Sequence, residues 1–209
     1  MSEIQAVIFD YGNVLSLEQP DSAIEAMAAK VCMDVVDFTK HYWAARGPYD
    51  AGVVDGIQYW SEFAARGGCR MDEKLALELI DIDNQSWANE NKIMSDFASA
   101  VRRAGFRTAL LSNMPPDFRD YLPVGVKWLP VFDHKTLSCE LKITKPDEGI
   151  YEHCLRGLRV SPDHALFIDD RESNIEAAQK LGMQTVLFQS TEQALEEAQR
   201  RTAVPLSEI

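Results

Sequence analysis

The chain has 209 residues, 46% hydrophobic and 26% charged, the balance of one sizeable folded domain, or a domain plus an insert, and not of a disordered chain. Lys and Arg number 21 against 33 Asp and Glu, a formal net charge of −12, and the densest basic clusters are the pairs Arg102-Arg103 and Arg200-Arg201, so nucleic acid is excluded as a partner. No apolar run approaches the roughly 18 residues of a membrane span, so no membrane association is expected.

The start of the chain is acidic and its first apolar run is short, which predicts a cytoplasmic protein. Cys32, Cys69, Cys139 and Cys154 lie 37, 70 and 15 residues apart, without zinc-ligand spacing, and are expected to be buried thiols in a reducing compartment.

In chain order, Ala6 to Asp10 is a short, almost continuously apolar run, the signature of a strand covered on both faces. About 95 residues then pass before the next such run, far more than one crossover helix needs, so something is inserted. The insert is helical by its spacing: Ile24, Met27, Ala28 and Val31 share a face, as do Val35, Phe38 and Tyr42, then Tyr59 and Phe63, then Leu75, Leu79 and Ile82. Gly47-Pro48 and Gly67-Gly68 punctuate it. Residues 17–89 are therefore expected to form a helical cap on a core made of residues 1–16 and 90–209. A helix carrying Ile93, Phe97, Ala100, Val101 and Ala104 on one face returns the chain to that core.

Thr108 to Ser112, Ala165 to Asp169 and Gln184 to Phe188 are the later apolar runs. Helices are predicted between the last three, over Asp147 to Leu158 and Ser173 to Leu181, the latter opening on a Ser173–Glu176 capping box. Glu192 to Arg201 reads as a solvated terminal helix. Alternating strands and helices imply an α/β fold, a Rossmann-like parallel sheet with right-handed crossovers.

In such a sheet the C-terminal strand ends open on one edge, where ligands bind. Asp10, Ser112-Asn113 and Asp169-Asp170 end three of the runs, and Lys145 precedes the helix that leads to the third. Bringing Asp10, Asp169 and Asp170 together is costly without compensation, because like charges raise one another's pKa. A hard divalent cation with oxygen ligands relieves that cost, and Mg²⁺ also accepts a phosphate oxygen. An aspartate beside Mg²⁺ and a lysine is suited to in-line attack on phosphorus, with the Ser112 hydroxyl and nearby backbone N–H groups cradling the phosphate.

Four motifs stand in order along nearly the whole chain: Val7-Ile8-Phe9-Asp10-Tyr11-Gly12-Asn13-Val14-Leu15, then Leu110-Leu111-Ser112-Asn113, then Lys145-Pro146 leading into Ile150-Tyr151, then Phe167-Ile168-Asp169-Asp170-Arg171 with Asn174 and Leu181-Gly182. In this the sequence resembles the haloacid dehalogenase superfamily. The resemblance implies a phosphoaspartyl mechanism with Asp10 as nucleophile and Lys145 bridging it to a phosphoryl oxygen. It implies Mg²⁺ held by Asp10, the Gly12 carbonyl and Asp170, with Asp169 a ligand or its partner, and phosphate contacts from Gly12, Asn13, Ser112 and Asn113. The partner would be a small phosphorylated metabolite such as a sugar phosphate, and the protein a monomer or homodimer.

The sequence departs from most phosphatases of that superfamily at Gly12, where they carry a second aspartate as general acid and base. A cap-bearing branch resembling sugar-1-phosphate phosphatases carries the same Asp-x-Gly-Asn-Val pattern. Two other functions are weighed: a 2-haloacid dehalogenase, whose attack on neutral carbon needs no metal, and a non-catalytic phospho-ligand-binding or regulatory protein, suggested by Gly12. In the insert, Trp43, Tyr49, Tyr59 and Trp60 have the spacing of cap core more than of a sugar-stacking wall. His41, Asp50 and Asp55 are the available substitute acids, each more readily explained as part of a solvated face.

Overall fold

In the computed structural model, which describes residues 3–204, the four apolar runs are strands: β1 (Ala6–Phe9), β2 (Arg107–Ser112), β4 (Ala165–Asp169) and β5 (Gln184–Leu187). A fifth strand, β3 (His134–Leu137), forms at the sheet edge from a stretch too polar to register as an apolar run. All pairings are parallel in the order β3-β2-β1-β4-β5, with Phe9 beside both Leu110 and Ile168. Asp10 therefore leaves the central strand level with Leu111 and Asp169, its N–H still bonded to the Ile168 carbonyl at 3.0 Å.

The strands alternate their side chains between two apolar layers, as the pleat requires. Val7, Phe9 and Leu110 pack with Phe97 and Val101 of α5 (Lys92–Arg103) and Leu195 and Ala198 of α10 (Thr191–Thr202). Ile8, Leu111 and Phe167 pack on the opposite face with Ile150 and Cys154 of α8 (Glu148–Leu158) and Ile175 and Ala178 of α9 (Glu172–Lys180). Two further helices, α6 (Pro116–Gly125) and the short α7 (Ser138–Leu141), flank the β2 and β3 ends.

Between β1 and α5 the chain builds α1 (Asp21–Lys30), α2 (Val35–Asp50), α3 (Gly56–Gly67) and α4 (Glu73–Ser86) around their own core of Met27, Phe38, Tyr42, Trp60, Phe63 and Leu79. The chain enters and leaves this helical unit through adjacent segments: Leu17 N–H donates to the Asn89 carbonyl at 2.8 Å, and Asn91 N–H to the Leu15 carbonyl at 2.9 Å.

Several local expectations are corrected. Gly47-Pro48 does not end α2, since only one bond is lost near the final turn and Ala51 N–H still reaches the Gly47 carbonyl. The Ser173–Glu176 capping box is absent, and α9 starts at Glu172 because Asp169 Oδ1 takes the Arg171 N–H and turns the chain into the helix early. On α5 Met94, not Ile93, faces the core, Ile93 being 47% exposed, and Ala104 lies outside that core too. The terminal helix buries Ala194, Leu195 and Ala198 against the sheet layer. Cys32 and Cys69 are not separate thiols but a disulfide joining the end of α1 to the end of α3, which helix packing brings together; Cys139 and Cys154 are buried thiols as expected. Among the described residues no helix is long and apolar enough to cross a membrane.

Candidate active site

Asp10, Asp169 and Asp170 converge where β1 and β4 end, each offering a carboxylate oxygen within 4.8 Å of the others'. Lys145 enters this group from the loop before α8. Its Nζ donates to Asp10 Oδ1 at 2.8 Å, Asp169 Oδ2 at 2.7 Å and the Leu111 carbonyl at 3.0 Å, so all three N–H bonds are used. Burial alone would push this amine toward its neutral form, but Asp10 and Asp169 outweigh it and hold Lys145 above its ordinary range. The Asp10 carboxyl is raised to about 7, first by burial, against the pull of Lys145, and further by Asp169 and Asp170.

The two adjacent aspartates differ. Asp169 is fully buried, with Oδ1 taking the Arg171 N–H at 2.8 Å and the Asn174 amide at 2.9 Å, and Oδ2 taking Lys145 and Asn174. Asp170 is half-buried and accepts from Asn13 Nδ2 at 2.8 Å through Oδ2, while Oδ1 takes no hydrogen bond from the described residues. Asp10 Oδ1 accepts the Tyr11 N–H at 2.7 Å as well as Lys145, and Oδ2 is likewise without a donor among the described residues. Two open carboxylate oxygens from Asp10 and Asp170 form a hard-oxygen donor set, which fits Mg²⁺.

The loop after β1 is shaped for this arrangement. Asn13 adopts a left-handed conformation at φ 61°, which Asn tolerates better than most residues, and there its amide reaches Asp170. Gly12 lies under the Trp87 indole, whose Cζ3 would be 3.4 Å from a Cβ at this position. Ser112 ends β2, buried at the cavity wall. Asn113 uses both ends of its amide on the backbone of Lys145, donating to its carbonyl at 3.0 Å and accepting its N–H at 2.8 Å. Its side chain thereby fixes the lysine backbone, while Asn113 itself lines the cavity.

Of these groups all but Asp169 line one cavity of about 70 Å³, flanked on its other side by Trp43, Arg46, Asp50 and Trp87. Of the aromatics considered from sequence, Trp43 reaches the cavity, whereas Tyr49, Tyr59 and Trp60 are buried in the core of that unit. Of the substitute acids, Asp50 lines the cavity, Asp55 caps α3, and His41 packs on Phe63. Arg46 was not singled out from sequence. Its signal is a charge on the apolar stripe of α2, between Tyr42 and Tyr49. Arg46 Nε donates to Asp50 at 2.7 Å and Nη1 to Asp83 at 2.8 Å.

A carboxylate cluster and a buried lysine thus stand together at the C-terminal edge of a parallel sheet, the edge where proteins of this architecture bind ligands. A sequence model of the haloacid dehalogenase-like hydrolases matches residues 4–182, and the chain belongs to this family. It is 26% identical over 192 residues to D-ribitol-5-phosphate phosphatase from Bacteroides thetaiotaomicron, covering 87% of this chain and 90% of that protein. It is 30% identical over 145 residues to bifunctional epoxide hydrolase 2 of Rattus norvegicus, covering 68% of this chain but only 26% of that protein, so it spans about a quarter of that relative's length. Its fold matches a haloacid dehalogenase family enzyme from Bacteroides thetaiotaomicron crystallised with magnesium and inorganic phosphate, at TM-score 0.70 and 20% identity over 88% of this chain and 93% of that one. It also matches L-2-haloacid dehalogenase from Xanthobacter autotrophicus with chloropropionic acid covalently bound, at TM-score 0.67 and 19% identity over 97% and 84% of the two chains.

Proposed function

We propose that this hydrolase cleaves a small phosphomonoester, a polyol or sugar phosphate being the favoured class, through a phosphoaspartyl intermediate on Asp10. The observation that carries the reading is the open Asp170 Oδ1 beside Asp10. Attack on a neutral carbon–halogen centre needs no cation, so a second carboxylate kept open next to the nucleophile favours phosphorus over carbon as the electrophile. The similarity to D-ribitol-5-phosphate phosphatase over most of both chains supports the same choice.

Asp10, Asp170 and the Gly12 carbonyl would hold Mg²⁺, which when bound neutralises phosphate charge and aligns the phosphoryl group for in-line attack. Asp10 attacks through its carboxylate, one oxygen of which is held by Lys145 and Tyr11. Lys145 pulls Asp10 toward its anionic form and offers positive charge to a phosphoryl oxygen. Asp169, Asn174 and Asn113 keep that lysine in place, and Ser112 supplies a hydroxyl to the phosphate. Residues 17–89 act as the cap, whose Trp43 and Trp87 exclude water from the reacting group. A cavity of about 70 Å³ beside the carboxylates suits a small substrate.

The test is phosphate release from polyol, sugar, carboxylate-bearing and nitrophenyl phosphates, with Mg²⁺ or with chelator, in wild type and Asp10→Asn. Turnover that requires both the metal and Asp10 is expected. Equal rates for Asp10→Asn, or metal-independent chloride release from a 2-haloacid in place of phosphate release, would refute the proposal.

A further inference from the structure

A leaving alkoxide needs a proton, and position 12 has no side chain to supply one. Among the described residues lining the cavity, the other protic groups are committed or unsuited. Lys145 spends its three N–H bonds on Asp10, Asp169 and Leu111, and the Tyr11 hydroxyl donates to the Trp87 carbonyl at 2.8 Å. Arg46 and Arg171 do not release protons. Asp10 and Asp170 are the nucleophile and the open oxygen donor beside it. The carboxyl that remains is Asp50, at the end of α2.

Asp50 is held in place from both sides. Arg46 Nε grips Oδ1 at 2.7 Å, and the Ser138 hydroxyl, on the core, donates to the Asp50 carbonyl while accepting the Met114 N–H at 2.9 Å. Arg46 is itself anchored by Asp83, so the carboxyl has little freedom to leave the cavity. The charged groups around it are Arg46 and Asp83 from the cap and Arg171 from the core. Burial, the largest influence, favours its protonated form, Arg46 opposes this, and the net direction is upward from the ordinary aspartate value.

On the phosphatase reading, on which this rests, we infer that Asp50 is the catalytic acid and base of this enzyme, supplied by the cap in place of the side chain missing at Gly12. As the Asp10 carboxylate forms its bond to phosphorus, the bond from phosphorus to the leaving oxygen breaks. That oxygen keeps the electron pair and takes the Asp50 proton, and the new carboxylate is stabilised by Arg46. In the second half, Asp50 removes a proton from the water whose oxygen attacks phosphorus. The bond to Asp10 breaks, its electron pair returns to the Asp10 carboxylate, and Asp50 is protonated for the next cycle.

The experiment compares Asp50→Asn with wild type on an alkyl phosphate such as a polyol phosphate and on nitrophenyl phosphate, whose leaving group departs without a proton. Asparagine still offers Arg46 an oxygen, and retained single-turnover release of nitrophenol reports an intact site. The expected result is a loss of about 10²–10⁴-fold in the single-turnover rate of alcohol release from the alkyl ester and under about tenfold in that of nitrophenol, while steady-state kcat falls on both esters through the shared hydrolysis of the intermediate. Equal losses in the single-turnover release from both esters, or no loss on the alkyl ester, would overturn the assignment. Wild-type activity confined to nitrophenyl phosphate and dependent on Asp10 would also overturn it while leaving the phosphatase reading intact. No Asp10-dependent release from any ester would remove both.

Discussion

Replacing the proposed nucleophile should stabilise the metal-free protein. The Asp10 carboxyl is raised from 3.8 to about 7 by burial and by Asp169 and Asp170, with Lys145 offsetting part of the effect. For a group whose folded-state pKa lies above its unfolded value, the favourable contribution is complete below about pH 4 and is lost as pH rises through about 7. A rise of about three units, at about 1.36 kcal/mol each, sets an upper limit of about 4 kcal/mol for keeping Asp10 ionised at pH 8.5. The amide of Asp10→Asn must also be buried, at about 1–3 kcal/mol. The net gain is then about 1–3 kcal/mol, or a Tm higher by about 2–10 °C for a chain of this length. Thermal unfolding of both proteins in chelator at pH 8.5 and pH 5 measures it: the gap should be present at pH 8.5 and close at pH 5, where wild type holds the proton. Added Mg²⁺ should raise the wild-type Tm by mass action and that of the variant less. A variant less stable at pH 8.5, or a gap independent of pH, would show that the carboxylate cluster is not under electrostatic strain.

Lys145→Met leaves Asp10 and Asp169 buried with no cation between them, at a cost of about 3–5 kcal/mol and a Tm lower by about 10 °C at pH 8.5. That loss should shrink at pH 5 as Asp10 takes up a proton, and a pH-independent loss would contradict the ion-pair account. Gly67→Ala would put a Cβ 1.8 Å from the Val31 carbonyl oxygen. A substitution that elsewhere in a helix gains about 1 kcal/mol should therefore cost about 1–3 kcal/mol, read by urea unfolding, and a stabilised variant would exclude this close approach of α1 and α3. Reducing the Cys32–Cys69 bond frees a span of 37 residues and should lower cap stability by about 3–4 kcal/mol on the chain-entropy account, with hydrogen exchange rising in α1–α3 and not in the sheet; uniform exchange would argue against a separately stabilised cap.

The half of the cavity built by the sheet was legible because its logic is local. A buried parallel strand is a short apolar run, and the polar residue that ends it falls on the ligand edge whatever the rest of the chain does, which places Asp10, Ser112 and Asp169 from sequence. β3 escaped because an edge strand needs no continuous apolar run, and the Asn113 grip on Lys145 escaped because it joins residues 32 apart through backbone atoms that no side-chain pattern encodes.

The half built by the cap depends on where one helical unit sits over another. Periodicity gives α2 a buried stripe of Phe38, Tyr42 and Tyr49, and Arg46 falls on it, but not which end of that stripe meets the sheet. That orientation is set by contacts remote in sequence: Tyr49 Oη to Asp117 at 2.8 Å, Ser138 to the Asp50 carbonyl, and Trp87 over Gly12. The same placement brings the Trp87 indole to ordinary contact distance, 3.4 Å, from where a Cβ at position 12 would stand. A charge on an apolar helical stripe, held between Asp50 and Asp83, is the one trace of this arrangement that the sequence carries, and it marks the turn of α2 that reaches the cavity at Asp10.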